Sequence, residues 1–179
     1  MPSSKQFADL LTAFRFTFAG MLALLGIGRD RSSLGLALYL ILGSWISDFL
    51  DGTLARRTQP LRHSWLGDHD LIIDMAAAAG LLVYLTGAGF LAPAFSLTYV
   101  AAWLFIFWQI GVSKSTGSLF QAPVYGLFLW VAIQRVPEIA VLALYLIAGM
   151  LLLSWRRFLF QVVPEFLHGI SAALRRRAH

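Results

Sequence analysis

The sequence predicts an all-α integral membrane protein of six transmembrane helices. Three observations predict it. Apolar and aromatic residues fill 59% of the 179 positions and charged residues 13%, against roughly 45–50% and about 25% in an ordinary soluble domain. Residues 75–113 contain no Asp, Glu, Lys or Arg, a run long enough for two spans. Basic residues concentrate on alternate loops. Fourteen Lys/Arg and nine Asp/Glu could not cover a soluble chain of this length, and so apolar a composition excludes disorder. Cysteine is absent, which removes a disulfide framework, a Cys-ligated zinc and a Cys nucleophile.

A span needs about 20 mostly apolar residues. The first is expected at 7–28 and carries Arg15 inside it. That arginine interrupts any signal-peptide apolar core, so the segment is read as part of the mature fold. The second is expected at 33–55. The third, 70–89, and the fourth, 95–112, divide the charge-free run, with Gly87, Gly89 and Pro93 marking the turn between them. The fifth is expected at 119–133 and the sixth at 137–155. Residues 1–155 thus form one membrane domain. Residues 156–179 form a cytoplasmic interfacial tail, where Phe158, Phe160, Val163, Phe166, Leu167 and Leu174 lie between Arg156-Arg157 and a closing Arg175-Arg176-Arg177.

Orientation follows from the cations. With the N-terminus cytoplasmic, the inner segments hold Lys5, Arg56, Arg57, Arg62, Lys114, Arg156, Arg157, Arg175, Arg176 and Arg177. The outer loops hold Arg29, Arg31 and Arg135. This bias places both termini inside. The net charge of +5 and the pI near 10.1 are therefore orientation signals, and no nucleic-acid partner is expected.

Five of the nine acidic residues lie between positions 48 and 74: Asp48, Asp51, Asp68, Asp70 and Asp74. A carboxylate at membrane depth is expensive and marks a functional site by default. Asp48 and Asp51 lie about 60° apart on their helix, and Asp70 and Asp74 about 40° apart. Each pair shares a face, whereas Asp68 points elsewhere and suits an N-cap. Helix two ends on the side where helix three begins, so four carboxylates meet at the cytoplasmic edge, which is the expected active site. Neutralisation by Arg56 and Arg57 accounts for two charges and leaves the others over. Like charges in one pocket repel, and one or two divalent cations resolve the repulsion. All-oxygen donors favour magnesium, manganese or calcium, and magnesium completes its shell with water and substrate phosphate. Gly52 and Ala55 share the side of the first pair, where small residues make room for a substrate group or for close helix packing. Arg56 can clamp a phosphate bidentately or serve as an orientation anchor.

The segment Asp48-Phe-Leu-Asp51-Gly52-Thr-Leu-Ala55-Arg56, followed by Gly67-Asp-His-Asp70-Leu-Ile-Ile-Asp74, resembles the signature of the CDP-alcohol phosphatidyltransferase family, D-x2-D-G-x2-A-R-x8/9-G-x3-D-x3-D. Seven of its eight defined residues match in spacing, and Gly67 stands one position late. Leu11-Thr12-Ala13-Phe14-Arg15 is similar to the L-T-x-x-R stretch that opens many members. The resemblance implies transfer of a phosphatidyl group from a CDP-linked lipid, of the CDP-diacylglycerol type, to an alcohol, with release of CMP. It implies a magnesium or manganese site, with two divalent ions held by Asp48, Asp51, Asp70 and Asp74. It assigns the general base to Asp74 and the nucleotide and its phosphates to Gly52, Ala55 and Arg56. It also supports a homodimer, and the membrane is expected to be a prokaryotic inner membrane. Small residues at 76–80, Gly126 and Gly149 would permit the close helix packing a dimer needs.

The acceptor is less defined. Lys114, Ser115, Thr116 and Gln121 loosely resemble a K-x-T-x-x-Q stretch of phosphatidylglycerophosphate synthases, which favours glycerol 3-phosphate. An acceptor phosphate needs its own cation, for which Lys114 comes first and Arg15, Arg156 and Arg157 follow. Two other classes fit parts of the pattern. An intramembrane prenyltransferase also uses aspartate pairs and magnesium but lacks the D-G-x-x-A-R element. A metal- or proton-coupled transporter would carry polar groups at several depths, whereas these carboxylates cluster at one edge.

Overall fold

The structure, a computed structural model, describes residues 4–55, 70–157, 159–160 and 163–164. Among the described residues six helices follow in order: α1 (Ser4–Ile27), α2 (Leu34–Ala55), α3 (Asp70–Gly87), α4 (Pro93–Ile110), α5 (Lys114–Arg135) and α6 (Pro137–Arg157). No strand occurs among the described residues. The loop carrying Arg56, Gly67 and Asp68, expected on the cytoplasmic side, and nearly all of the expected interfacial tail lie outside the described residues.

Helix starts follow local chemistry. Proline opens α4 and α6 at the first turn, where its missing N–H costs nothing. Helix α5 begins five residues before the apolar pattern predicts, because Ser113 and Thr116 close a capping box. The Thr116 N–H donates to Ser113 Oγ at 3.3 Å, and the Ser113 N–H donates to Thr116 Oγ1 at 2.8 Å.

The core is built around the crossing of α1 with α3. A Cβ added to Gly26 would stand 2.6 Å from Tyr84 Cα. One added to Gly80 would overlap the Ala19 carbonyl, and one on Gly87 the Gly26 carbonyl. Only glycine lets these backbones touch. Leu22, Leu38, Ile41, Leu81, Leu85 and Phe128 fill the space around the crossing. Ala77, Ala78 and Gly80, expected from the sequence to serve a dimer, are buried inside the chain, with Gly80 against α1. Gly126 is exposed with open space beside it.

Arg31 donates to the carbonyls of Ala88 (2.7 Å) and Gly89 (2.9 Å), and Arg31, Phe90, Arg135 and Val136 line one pocket. The α1–α2, α3–α4 and α5–α6 junctions therefore gather at one end. Connectivity sends the end of α2 and the starts of α1, α3 and α5 to the other end, together with the end of α6.

Helix α4 leans on its neighbours through few contacts. Thr86 and Ser96 share a hydroxyl hydrogen bond of 2.6 Å, and Tyr99 donates to the Phe120 carbonyl at 2.5 Å. Phe95, Tyr99, Trp103 and Phe107 ladder along one side, and the last three pack against Phe120. Leu97, Leu104 and Trp108 are exposed, a surface suited to hydrocarbon.

Six membrane helices were expected, but among the described residues length and composition qualify three, not six: Pro93–Ile110, Lys114–Arg135 and Pro137–Trp155. Helices α1, α2 and α3 contain shorter apolar stretches, Ala13–Ile27, Leu34–Leu50 and Leu71–Gly87. Their remaining turns hold Lys5 and Asp9, Asp51, and Asp70, while Arg15, Asp48 and Asp74 interrupt the apolar stretches themselves. The helices that fall short are those that bring charge to one end of the bundle.

Candidate active site

Each of the first three helices delivers one charged side chain by continuing its buried face. On α1 that face is Arg15, Ala19, Leu22 and Gly26, all buried and spaced four, three and four residues apart. On α2 it is Ala37, Ile41 and Ser44, followed by Asp48. On α3 it is Ala78, Leu81 and Leu85, with Asp74 one turn before Ala78. Apolar packing of these faces brings the three charges to a common point.

There Arg15 is 1% exposed, an arginine enclosed among helices. Its Nη1 lies 3.2 Å from Asp48 Oδ1, and its Nη2 donates to Asp74 Oδ1. Asp48 is 58% exposed and Asp74 33% exposed, so the carboxylates open outward from a buried cation. A buried charge is costly unless it is paired and hydrogen-bonded, and here two carboxylates from two helices answer one guanidinium.

The surroundings are polar at close range. Ser44 and Ser47 of α2 are buried beside Asp48. Tyr125 of α5 lies within electrostatic reach of Arg15, Asp48 and Asp74, and its ring meets Trp45 edge-on at 5.4 Å. At the start of α5, Gly117 sits against Leu71 and Met75 of α3, which brings the α5 N-terminus beside the first turns of α3. Lys114, the first residue of α5, is exposed.

Of the residues singled out in the sequence, Arg15, Asp48 and Asp74 are brought together. Asp51, Gly52 and Ala55 lie in the last two turns of α2, and Asp70 opens α3. Their side chains are outside the described residues, as are those of Arg156 and Arg157 at the end of α6. Arg56 is outside them altogether. Among the described residues no group of three or more His, Cys, Asp or Glu forms a metal cluster. The donor chemistry nonetheless fits a hard cation. Asp48 and Asp74 offer only oxygen, and the structure already sets a positive charge between them.

The sequence marks Arg15 as a candidate cation for the acceptor and does not mark Tyr125. The signal for Arg15 was present in the 15-19-22-26 spacing, which sets the arginine on the packing face. Tyr125 gave none, since an aromatic at helical spacing reads as core.

The family model for CDP-alcohol phosphatidyltransferase matches residues 5–174. No curated protein and no solved structure matches the chain. The matched range takes in all six helices and runs through Arg15, Asp48 and Asp74. A match over nearly the whole length shows that the chain belongs to the CDP-alcohol phosphatidyltransferase family and is a phosphotransferase of phospholipid synthesis.

Proposed function

We propose that the chain transfers a phosphatidyl group from CDP-diacylglycerol to glycerol 3-phosphate and releases CMP. The observation that carries this reading is the convergence of Asp48 and Asp74, the first and last carboxylates of the signature, on one point at one end of the bundle. That end is taken as the cytoplasmic membrane edge, where a diacyl donor can present its head group while its chains stay in hydrocarbon. All six helices are read as crossing a prokaryotic inner membrane, with both termini inside. Residues 1–155 form the catalytic domain, and 156–179 lie on the inner leaflet.

Asp48, Asp51, Asp70 and Asp74 would hold one or two divalent ions, magnesium or manganese, whose charge neutralises the donor's diphosphate and the departing CMP. Gly52 and Ala55 leave room for the nucleotide, and Arg56 forks onto a phosphate. Asp74 accepts the proton of the acceptor hydroxyl as that oxygen bonds to the lipid phosphorus. The bond from phosphorus to the CMP oxygen breaks, and the proton rests on the Asp74 carboxylate. Lys114, at the exposed start of α5, draws the acceptor's phosphate, with Arg156 and Arg157 as further cations at the same end. Arg15 is engaged by Asp48 and Asp74 and leaves that task to Lys114. The working unit is read as a homodimer joined through membrane helices.

An acceptor screen tests the reading. The purified chain is given CDP-diacylglycerol, magnesium or manganese, and a panel of alcohols, and the lipids are identified by mass spectrometry. Phosphatidylglycerophosphate is the expected product. A different phosphatidyl alcohol would correct the acceptor, and a prenylated product would overturn the reading.

A further inference from the structure

Arg15 is a buried cation that the chemistry above leaves unused. It sits on the packing face of α1 with Ala19, Leu22 and Gly26. Its two terminal nitrogens go to different helices, Nη1 to Asp48 of α2 and Nη2 to Asp74 of α3. A guanidinium is planar and rigid, so two carboxylates bound to its two ends are fixed in both separation and direction. Around this point α1 cannot shift independently of α3, because Gly80 admits the Ala19 backbone one turn along the helix from Arg15. The arginine is therefore held by packing, and it holds the carboxylates in turn.

We infer that Arg15 is a positioning residue: it sets the spacing and orientation of Asp48 and Asp74 across the α2–α3 gap and does not bind the acceptor. The inference rests on the reading of those two carboxylates as working groups of the site. Its guanidinium also gives the pair a counter-charge before any divalent ion arrives, which lets α2 and α3 close without two carboxylates facing each other unopposed. Lysine would restore the charge but not the fork, since an ammonium is a point donor on a flexible stem.

The test uses the full chain in lipid nanodiscs, with two readouts. Thermal midpoints are measured with a chelator and no substrate. Turnover is measured with CDP-diacylglycerol and the acceptor. In the chelated protein, Arg15→Met should lower the midpoint by several degrees. Adding Asp48→Asn to it should recover part of that loss by removing one of the facing charges. Arg15→Lys should keep most of the midpoint yet lose about 10²-fold in kcat, the scale of a small misplacement of reacting groups, with the acceptor KM little changed. A wild-type midpoint in Arg15→Met, or strictly additive losses in the double variant, would overturn the inference. So would an Arg15→Lys enzyme that keeps kcat while its acceptor KM rises. If Arg15→Met does not fold, Arg15→Lys carries the test alone through its KM-against-kcat split. The chelated measurements need no substrate. Coupled midpoints in a chain that releases no CMP would sink the proposed reaction and leave the role of Arg15 standing.

Discussion

Replacing Gly80 by alanine sets two known effects against each other. Alanine is favoured over glycine inside a helix by about 1 kcal/mol. At this position, however, the added Cβ would overlap the Ala19 carbonyl oxygen and come within 3.2 Å of its carbonyl carbon. Those atoms are backbone and cannot swing aside, so α1 and α3 must part. Overpacking of this kind costs about 1–3 kcal/mol, which exceeds the propensity gain. The parting also acts on the site, because Arg15 lies one turn from Ala19 on the same face and reaches Asp74 across the same crossing. Gly126→Ala is the control: it brings the same propensity gain, with nothing within 4 Å of the new methyl group. Thermal unfolding in one detergent should place Gly80→Ala below wild type and Gly126→Ala at or slightly above it. CMP release should fall in Gly80→Ala and hold in Gly126→Ala. A Gly80→Ala chain as stable and active as Gly126→Ala would refute the close α1–α3 crossing.

Other expectations follow from particular groups. Asp74→Asn should slow the chemical step by about 10²–10⁴-fold, the range for a general base, while single-turnover and binding assays show donor affinity little changed. Lys114→Ala should raise the acceptor KM and leave that of the CDP-lipid unchanged; no change in either would mark Lys114 as an orientation signal and favour a phosphate-free alcohol. Ser113→Ala should cost about 1 kcal/mol by removing a cap side chain, read as a lower thermal midpoint. At the opposite end of the bundle, the Ser32 hydroxyl and N–H donate to Asp30, and these bonds hold its carboxyl below the ordinary 3.8. A depressed folded pKa stabilises the turn above 3.8 and loses that contribution as pH falls through the folded value. The difference in stability between wild type and Asp30→Asn should therefore be flat from pH 7 to 5 and shrink only below about 4.

How far the sequence could be read depended on where each partner lies along the chain. Helix positions were legible because apolar runs, Pro93 and Pro137 are local signals. The start of α5 was missed because a hydroxyl pair, Ser113 with Thr116, extends the helix beyond its apolar stretch. That Asp48 and Asp74 lie at one end was legible from helix period and connectivity, whereas the side chains of Asp51 and Asp70 lie outside the described residues. The destination of Arg15 was not, because its carboxylates stand 33 and 59 residues away and only the packing of three helices joins them. Among the small residues at 76–80, which would permit dimer packing, Ala77, Ala78 and Gly80 are buried within the chain and Ala79 is exposed, because a glycine and alanine composition suits contact within a chain as well as between chains. Gly80 meets Ala19 of the same chain.

The central claim is that carboxylates from both ends of the signature form one site for phosphatidyl transfer. The most direct measurement is CMP release by the purified chain from CDP-diacylglycerol with glycerol 3-phosphate and manganese. It is made with and without a chelator, for wild type, Asp48→Asn and Asp70→Asn. The account predicts release by wild type that stops on chelation and is abolished in both variants, each of which remains folded by thermal unfolding. Near-normal release in either variant would contradict it.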